Sequence, residues 1–402
     1  MASGGRDATH DRRARVAVAA LFLTNGAIFA NLVPRFPELK TDLALSNTAY
    51  GVVVAAFPIG ALVAGVAAGA AIRRFTSARA ALVSTVGIAV LVFAAGLSTT
   101  PALLAAALFA GGACDAIADV AQNTNGLRVQ RVYQRSIINS LHAVWSAGAV
   151  LGGAMAAAAI AMHIPVATHL GASSAVFVVV AAVAYPFLLH GSDEDDRPPT
   201  SPGTSMKPSR RVYVAVLLLV VIATAGAVVE DAGSSWATLY LGKNLGAEGA
   251  VAALGYITLL AFHFVGRLTG DRLVDRFGER AVVRCGGLVT AIGMGLALAF
   301  PSVPGTIAGF AAAGIGIATV VPAAMHGADR LPGLRTGSGL TAVAWLMRIG
   351  FVASPPIVGM IADATSLRVG LLVVPAAGLA VVMAAGVLSG RRQPTRSSAH
   401  PR

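Results

Sequence analysis

The sequence predicts an all-α polytopic membrane protein: twelve transmembrane helices in two six-helix bundles. Three observations predict it. Of its 402 residues, 56% are hydrophobic and only 12% charged, where a soluble domain carries about a quarter charged. The apolar residues fall in runs of roughly 20, the length of a helix that crosses the hydrocarbon core. The cationic residues gather in short segments between alternate runs, as they do on one face of a bilayer.

The runs lie at about 16–34, 49–72, 80–98, 102–126, 137–161, 167–189, 212–241, 250–268, 281–300, 304–326, 337–361 and 366–389, each close to the roughly 20 residues a span needs. The first run lacks a small-residue cleavage site and reads as a retained span. With the N-terminus inside, Lys and Arg divide 25 to 4 between the two faces, with only Arg35, Lys40, Lys243 and Arg368 on the outer one. That bias places both termini in the cytoplasm. It also explains the net charge of +12 by topology, so no nucleic-acid partner is expected.

Between runs six and seven lies GSDEDDRPPTSPGTSMKPSRR (residues 191–211), rich in charge, Pro and Ser, which reads as a flexible linker. The chain thus divides into a cytoplasmic N-terminal tail (1–15), an N-terminal six-helix bundle (16–190), the cytoplasmic linker (191–211), a C-terminal six-helix bundle (212–390) and a cytoplasmic C-terminal tail (391–402). The halves echo each other at an offset of about 200 residues. Arg74-Phe75 stands over Arg276-Phe277, and Arg135 before Leu141-His142-Ala143-Val144 stands over Arg335 before Leu340-Thr341-Ala342-Val343. An even number of spans per repeat gives two halves in parallel orientation.

Several ionisable or polar residues fall inside the runs, where a charge costs roughly 2.5–3.5 kcal/mol on a translocon scale. Asp115 and Asp119 are four residues apart in the fourth run and share one helix face. Either is a candidate to carry a proton, with His142 of the fifth run at the depth of Asp119 and a plausible hydrogen-bond partner. Glu230 and Asp231 in the seventh run are the other proton candidates. One of them is expected to neutralise Arg348 in the eleventh. Asn25, Asn123, Trp145, Trp236 and Arg348 complete the expected substrate cavity, with Trp236 the favoured aromatic face. Gly148, Gly152 and Gly153 allow close helix approach. Arg35, Glu38, Lys40 and Asp42 read as a solvated outer turn in which Arg35 could help close the mouth. Cys114 and Cys285 read as buried thiols, not a disulfide.

The sequence GRLTGDRLVDRFGER (residues 266–280) resembles the loop signature of the major facilitator superfamily, in which an acidic residue, a basic residue and a glycine form a tight turn. Asp275, Arg276 and Gly278 match it, and with Asp271 and Arg272 they form the expected conformational latch. In the first half Arg73 stands in the Asp place and Thr76 in the Gly place, so the resemblance implies a latch working from the second half. FANLVPRFPELKTDLALS, DVAQN, NSLHAVWSAG and EDAGSSWATLYL resemble a branch of uncharacterised bacterial members related to fucose permeases. That likeness implies a carboxylate in the first span and another in the fourth for proton coupling. Here the fourth has Asp115 and Asp119, but the first offers only Asn25 and Asn31, so the scheme does not carry over whole. The antiporter branches place a proline after the central glycine of the fifth span, where this chain has Gly153.

The resemblance implies a secondary transporter working by rocking of one half against the other. The expected function is proton-coupled passage of a small polar solute, a sugar or related metabolite, through a bacterial inner membrane. An exporter of hydrophobic or cationic compounds is the alternative within transport, and a non-transporting membrane sensor the alternative outside it. The sequence has no nucleotide-binding glycine loop with Lys, metal-ligand cluster or nucleophile triad, so no enzyme activity, cofactor or metal is expected. The expected partners are a small-molecule substrate, protons and the lipid bilayer, and the chain is expected to be a monomer.

Overall fold

The computed structural model describes residues 4–134, 137–191, 209–331 and 338–389. Most of the 191–211 linker, the tail 391–402, Arg135 and Arg335 lie outside the described residues. Among those described, every regular element is helical, as hydrocarbon demands of a backbone that must satisfy its own hydrogen bonds.

Among the described residues, twelve helices are long and apolar enough to cross a membrane. They are span 1 (Asp11–Asp42), span 2 (Asn47–Phe75), span 3 (Ser77–Gly96), span 4 (Pro101–Tyr133), span 5 (Ser140–Ala161), span 6 (Val166–Phe187), span 7 (Arg210–Asn244), span 8 (Gly249–Phe277), span 9 (Glu279–Ala299), span 10 (Val303–Asp329), span 11 (Ser338–Ala364) and span 12 (Leu367–Val387). Several boundaries differ from the sequence reading, among them the ends of span 1 at Asp42 and of span 8 at Phe277, both further on than expected. The first helix begins at Gly4, within the expected tail, because Ala and Arg are good helix formers and water does not end a helix as hydrocarbon ends an apolar run. Span 4 continues about two turns beyond the apolar run, to Tyr133, and ends on Gln134 in the left-handed conformation.

Short loops join the spans at the end of the molecule away from the termini, called here the far end. Four even-numbered spans start there on a hydroxyl cap: Ser46 Oγ accepts from Ala49 N, Thr100 Oγ1 from Leu103 N, Ser302 Oγ from Gly305 N and Ser366 Oγ from Val369 N. Each satisfies one of the orphan amides of a helix start. The first outer loop is not a solvated turn. Residues Phe36–Asp42 are helical, and Arg35 is 2% exposed. Its guanidinium donates to Ile164 O at 2.8 Å, to Glu38 at 2.7 Å and to His169 Nδ1 at 3.4 Å. With Nδ1 accepting, His169 Nε2 is the protonated nitrogen and donates to Asn31 Oδ1 at 2.9 Å. Arg35 therefore staples span 1 to span 6 and to the loop before it within its own half. Cys285 is exposed and Cys114 half-buried, so neither is the fully buried thiol expected. An outward face in a bilayer meets lipid and needs no burial.

The repeat is visible in side-chain detail. In span 4 Gly112 lies against the carbonyl of Phe57, and in span 10 Gly314 lies against the carbonyl of Leu259, positions where an added Cβ would sit 1.9 and 2.2 Å from the oxygen. Only glycine permits that approach. The span 2–span 3 turn is made by Thr76 (φ 68°, ψ 155°) and the span 8–span 9 turn by Gly278 (φ 84°, ψ 151°). Both residues end one helix and begin the next. At the terminal end Glu279 ties three spans of the second half, bonding to His326 and accepting from Ser389 Oγ at 2.7 Å.

Thr76 holds a conformation that glycine adopts almost alone, at a cost of about 1–3 kcal/mol for other residues. Thr76→Gly should raise stability by about 1 kcal/mol after the entropy lost by glycine is subtracted, and Gly278→Thr should lower it. Thermal unfolding of the purified variants checks this, and a destabilised Thr76→Gly would contradict it.

Candidate functional site

The two halves meet through span 2 against span 11 and span 5 against span 8. The tightest contacts lie at the far end. Gly51 faces the Pro355 carbonyl and Gly359 the Asn47 carbonyl, at 2.3 and 2.4 Å from the place of a Cβ. The Asp363 carboxylate of span 11 accepts from Asn47 N at 3.0 Å and Thr48 N at 2.7 Å, capping span 2 from the opposite half. A negative charge there meets the positive end of the helix dipole. One turn deeper, Tyr50 donates to Ser235 O at 2.6 Å and packs edge-on against Trp236.

Below this seal a cavity of about 370 Å³ lies between the halves. Asp115, Asp119, Glu230, Asp231, Asn25, Trp145 and Arg348 all line it. These residues come from spans 1, 4, 5, 7 and 11, so the fold brings together seven of the positions singled out in the sequence. Asn25 is the hub of its first-half wall: its amide donates to Asp115 Oδ1 at 2.9 Å, and its carbonyl accepts from Trp145 Nε1 at 2.7 Å. Spans 1 and 5 come close enough for this because Gly26, Gly148 and Gly152 each face a backbone carbonyl of the other. Asp119, one turn nearer the terminal end, is exposed and accepts from Asn123 Nδ2 at 2.9 Å.

Four expectations are corrected. Asp119 and His142 lie within electrostatic reach of each other, but no hydrogen bond joins them among the described residues. His142 instead packs edge-on against Phe22. Arg348 is not ion-paired with Glu230 or Asp231; it starts the second segment of the broken span 11, donates to Ala61 O at 3.5 Å and interacts electrostatically with Asp115 and Asp119. Asn123 holds Asp119 and does not line the cavity. Trp236 is fully buried behind the wall, while Trp145 presents the tryptophan face. The aromatic lining missed in the sequence comprises Phe29, Phe36, Phe57, Tyr256 and Phe351, with Phe29 and Phe57 stacked at 4.0 Å. Phe is too common in apolar runs to stand out there.

Residues 18–273 and 232–402 match the sequence profile of the Major Facilitator Superfamily. The chain belongs to the major facilitator superfamily. It is 30% identical over 372 residues, 92% of this chain and 97% of the relative, to a Sinorhizobium fredii protein described as the uncharacterized transporter y4wD. In fold it is similar to the nucleoside transporter NupG in its D323A form (TM-score 0.73, 11% identity, covering 92% of this chain and 98% of the other). It is also similar to the superfamily transporter FucP in the outward conformation (TM-score 0.60, 16% identity, covering 92% and 97%). As a superfamily member, this chain is a multi-pass membrane transporter and not an enzyme, and it takes a small-molecule substrate.

The superfamily loop signature sits at the terminal end of the span 8–span 9 turn. Asp271, Arg272, Asp275 and Arg276 are exposed, and among the described residues none of them forms an ion pair. Arg276 lies over the ring of Phe277 at 5.4 Å.

The Asn25 hub gives a direct stability test. Asn25→Leu leaves the Trp145 indole N–H and the Asp115 carboxylate without their partners, each loss worth about 1–3 kcal/mol in a buried site. The variant should unfold at lower temperature than wild type, and Asn25→Leu combined with Trp145→Phe should recover part of the loss. Equal stability of wild type and Asn25→Leu would contradict the hub.

Proposed function

We propose that this protein is a secondary active transporter that couples proton movement to the passage of a small polar solute, a sugar or related metabolite, across the bacterial inner membrane by alternating access. The observation that carries the reading is a cavity between the halves, sealed at the far end, with Asp115 held on its wall by Asn25. A carboxylate inside the membrane is expensive and is found where ions or protons move. Asp115 and Asp119 are the coupling residues in this account, with His142 near Asp119 and Glu230 and Asp231 on the facing wall as further proton sites.

The excess of Lys and Arg at the terminal end supports a cytoplasmic position for it, and in this reading the cavity opens inward. Exposure of Asp119 and His142 towards the terminal end and the sealing contacts at the far end support this. The bundles 16–190 and 212–390 move as the two rocking bodies of a monomer. Asp271, Arg272, Asp275 and Arg276, unpaired in this state, engage the first half when the cytoplasmic side closes, with Gly278 setting their turn. The aromatic walls favour one second reading, export of cationic or hydrophobic compounds.

Proton flux into proteoliposomes on addition of a panel of sugars and cationic compounds tests the proposal. Wild type should move protons with one compound class, and Asp115→Asn should reduce the flux to that of empty liposomes. Full solute-driven proton flux in both Asp115→Asn and Asp119→Asn would sink the coupling assignment.

A further inference from the structure

Four carboxylates and one guanidinium line the cavity among the described residues. The two walls differ in how those carboxylates are satisfied. On span 4, Asp115 accepts from Asn25 and Asp119 from Asn123, and both face Arg348. On span 7, Asp231 is 8% exposed and accepts from Ser235 Oγ at 3.4 Å on Oδ1, and the Ser354 hydroxyl of span 11 lies beside the carboxylate. Neither Asp231 Oδ2 nor Ser354 Oγ completes a hydrogen bond, and both are buried. Glu230, the adjacent residue, is partly exposed and accepts no side-chain hydrogen bond from any described residue. His263 on span 8 is within electrostatic reach of Glu230 but donates nothing to it.

A buried carboxylate oxygen without a donor is costly, and the cost is removed when a donor arrives. A neutral hydroxyl brings one donor and no charge. An ammonium brings three donors and a positive charge, enough to serve two neighbouring carboxylates at once. Tyr256, within electrostatic reach of Glu230, and Phe351, Phe29 and Phe57 also line the cavity, and an aromatic face attracts a cation. An anionic substrate meets a net negative wall, since Arg348 answers to the span 4 carboxylates. The volume lies near the lower end of the roughly 300–1,000 Å³ usual for small-molecule pockets, so the solute is small.

The geometry points to Glu230 and Asp231 as the binding site for a protonated amine carried on a small hydroxylated substrate. This names the substrate class of the cavity and rests on the transporter reading above. In it the span 7 carboxylates bind the solute's ammonium, while Asn25 and Trp145 on the opposite wall present a polar edge and a flat aromatic face to its ring.

The test uses three probes of one shape: glucosamine, glucose and glucuronate, added to the purified full-length protein in neutral buffer, where most of the amine is protonated and acid does not neutralise the carboxylates. Binding is read by thermal shift and by tryptophan fluorescence, neither of which requires transport. Glucosamine should bind, glucose should bind about tenfold or more weakly, as expected for loss of a charge-assisted hydrogen bond, and glucuronate should not bind. Glu230→Gln and Asp231→Asn should each weaken glucosamine by a similar factor. If either variant fails to fold, the ranking of the three probes on wild type still decides. Glucose or glucuronate binding as tightly as glucosamine, no binding of glucosamine, or glucosamine binding untouched in both variants would each overturn the proposal. Solute-driven proton flux in proteoliposomes judges the transporter reading separately, so amine selectivity can fail while transport stands.

Discussion

A carboxylate carried into hydrocarbon has to find a donor, a cation or water, and the interior of this protein is arranged around four that do so in different ways. Asp115 finds Asn25, Asp119 finds Asn123 and the opening, and both find Arg348 across the half interface. Glu230 and Asp231 are left with less. The Asn25 and Arg348 interactions need helices brought from distant parts of the sequence, so the span 4 carboxylates help define which spans surround one space. The bilayer supplies no alternative partner.

The scaffold that makes those approaches possible is glycine against carbonyl. Without a hydrophobic drive between helices inside lipid, close packing supplies the attraction, and the same contact appears in both halves at Gly112 on Phe57 and Gly314 on Leu259. Each half is thereby a tightly packed body. The contacts between halves use the same device at the far end, through Gly51 and Gly359, where Asp363 also caps span 2. The seal between the halves combines these glycine–carbonyl approaches with one carboxylate cap, which the rocking proposed above would have to break and remake.

Much of this was legible in the sequence, for physical reasons. Runs of about 20 apolar residues have only one stable form in a bilayer, and intramembrane Asp, Glu and Arg are too costly to be decorative, so the twelve spans and the five charged cavity residues could be read directly. What the sequence hid is rotation. A helix that is apolar all round has no amphipathic phase, so nothing told Trp145, on the cavity wall, from Trp236, behind it. Arg348 was assigned to span 7 because two acids lie there, yet its electrostatic partners Asp115 and Asp119 are more than 200 residues away. Thr76 stands where the signature has glycine, yet the backbone makes the same turn there, with dihedrals close to those of Gly278. Residue type gave the preference; the fold overrode it.

The account stands on a cavity sealed at the far end by a breakable contact and open towards the termini. Accessibility of a single cysteine at Ser234, in a chain lacking Cys114 and Cys285, tests it most directly, using a membrane-impermeant maleimide applied from either side. Labelling should come chiefly from the side that carries the termini, and Asp363→Asn should shift it towards the other side by removing the cap on span 2. Labelling chiefly from the far side in the chain that retains Asp363, or a pattern unchanged by Asp363→Asn, would contradict the account.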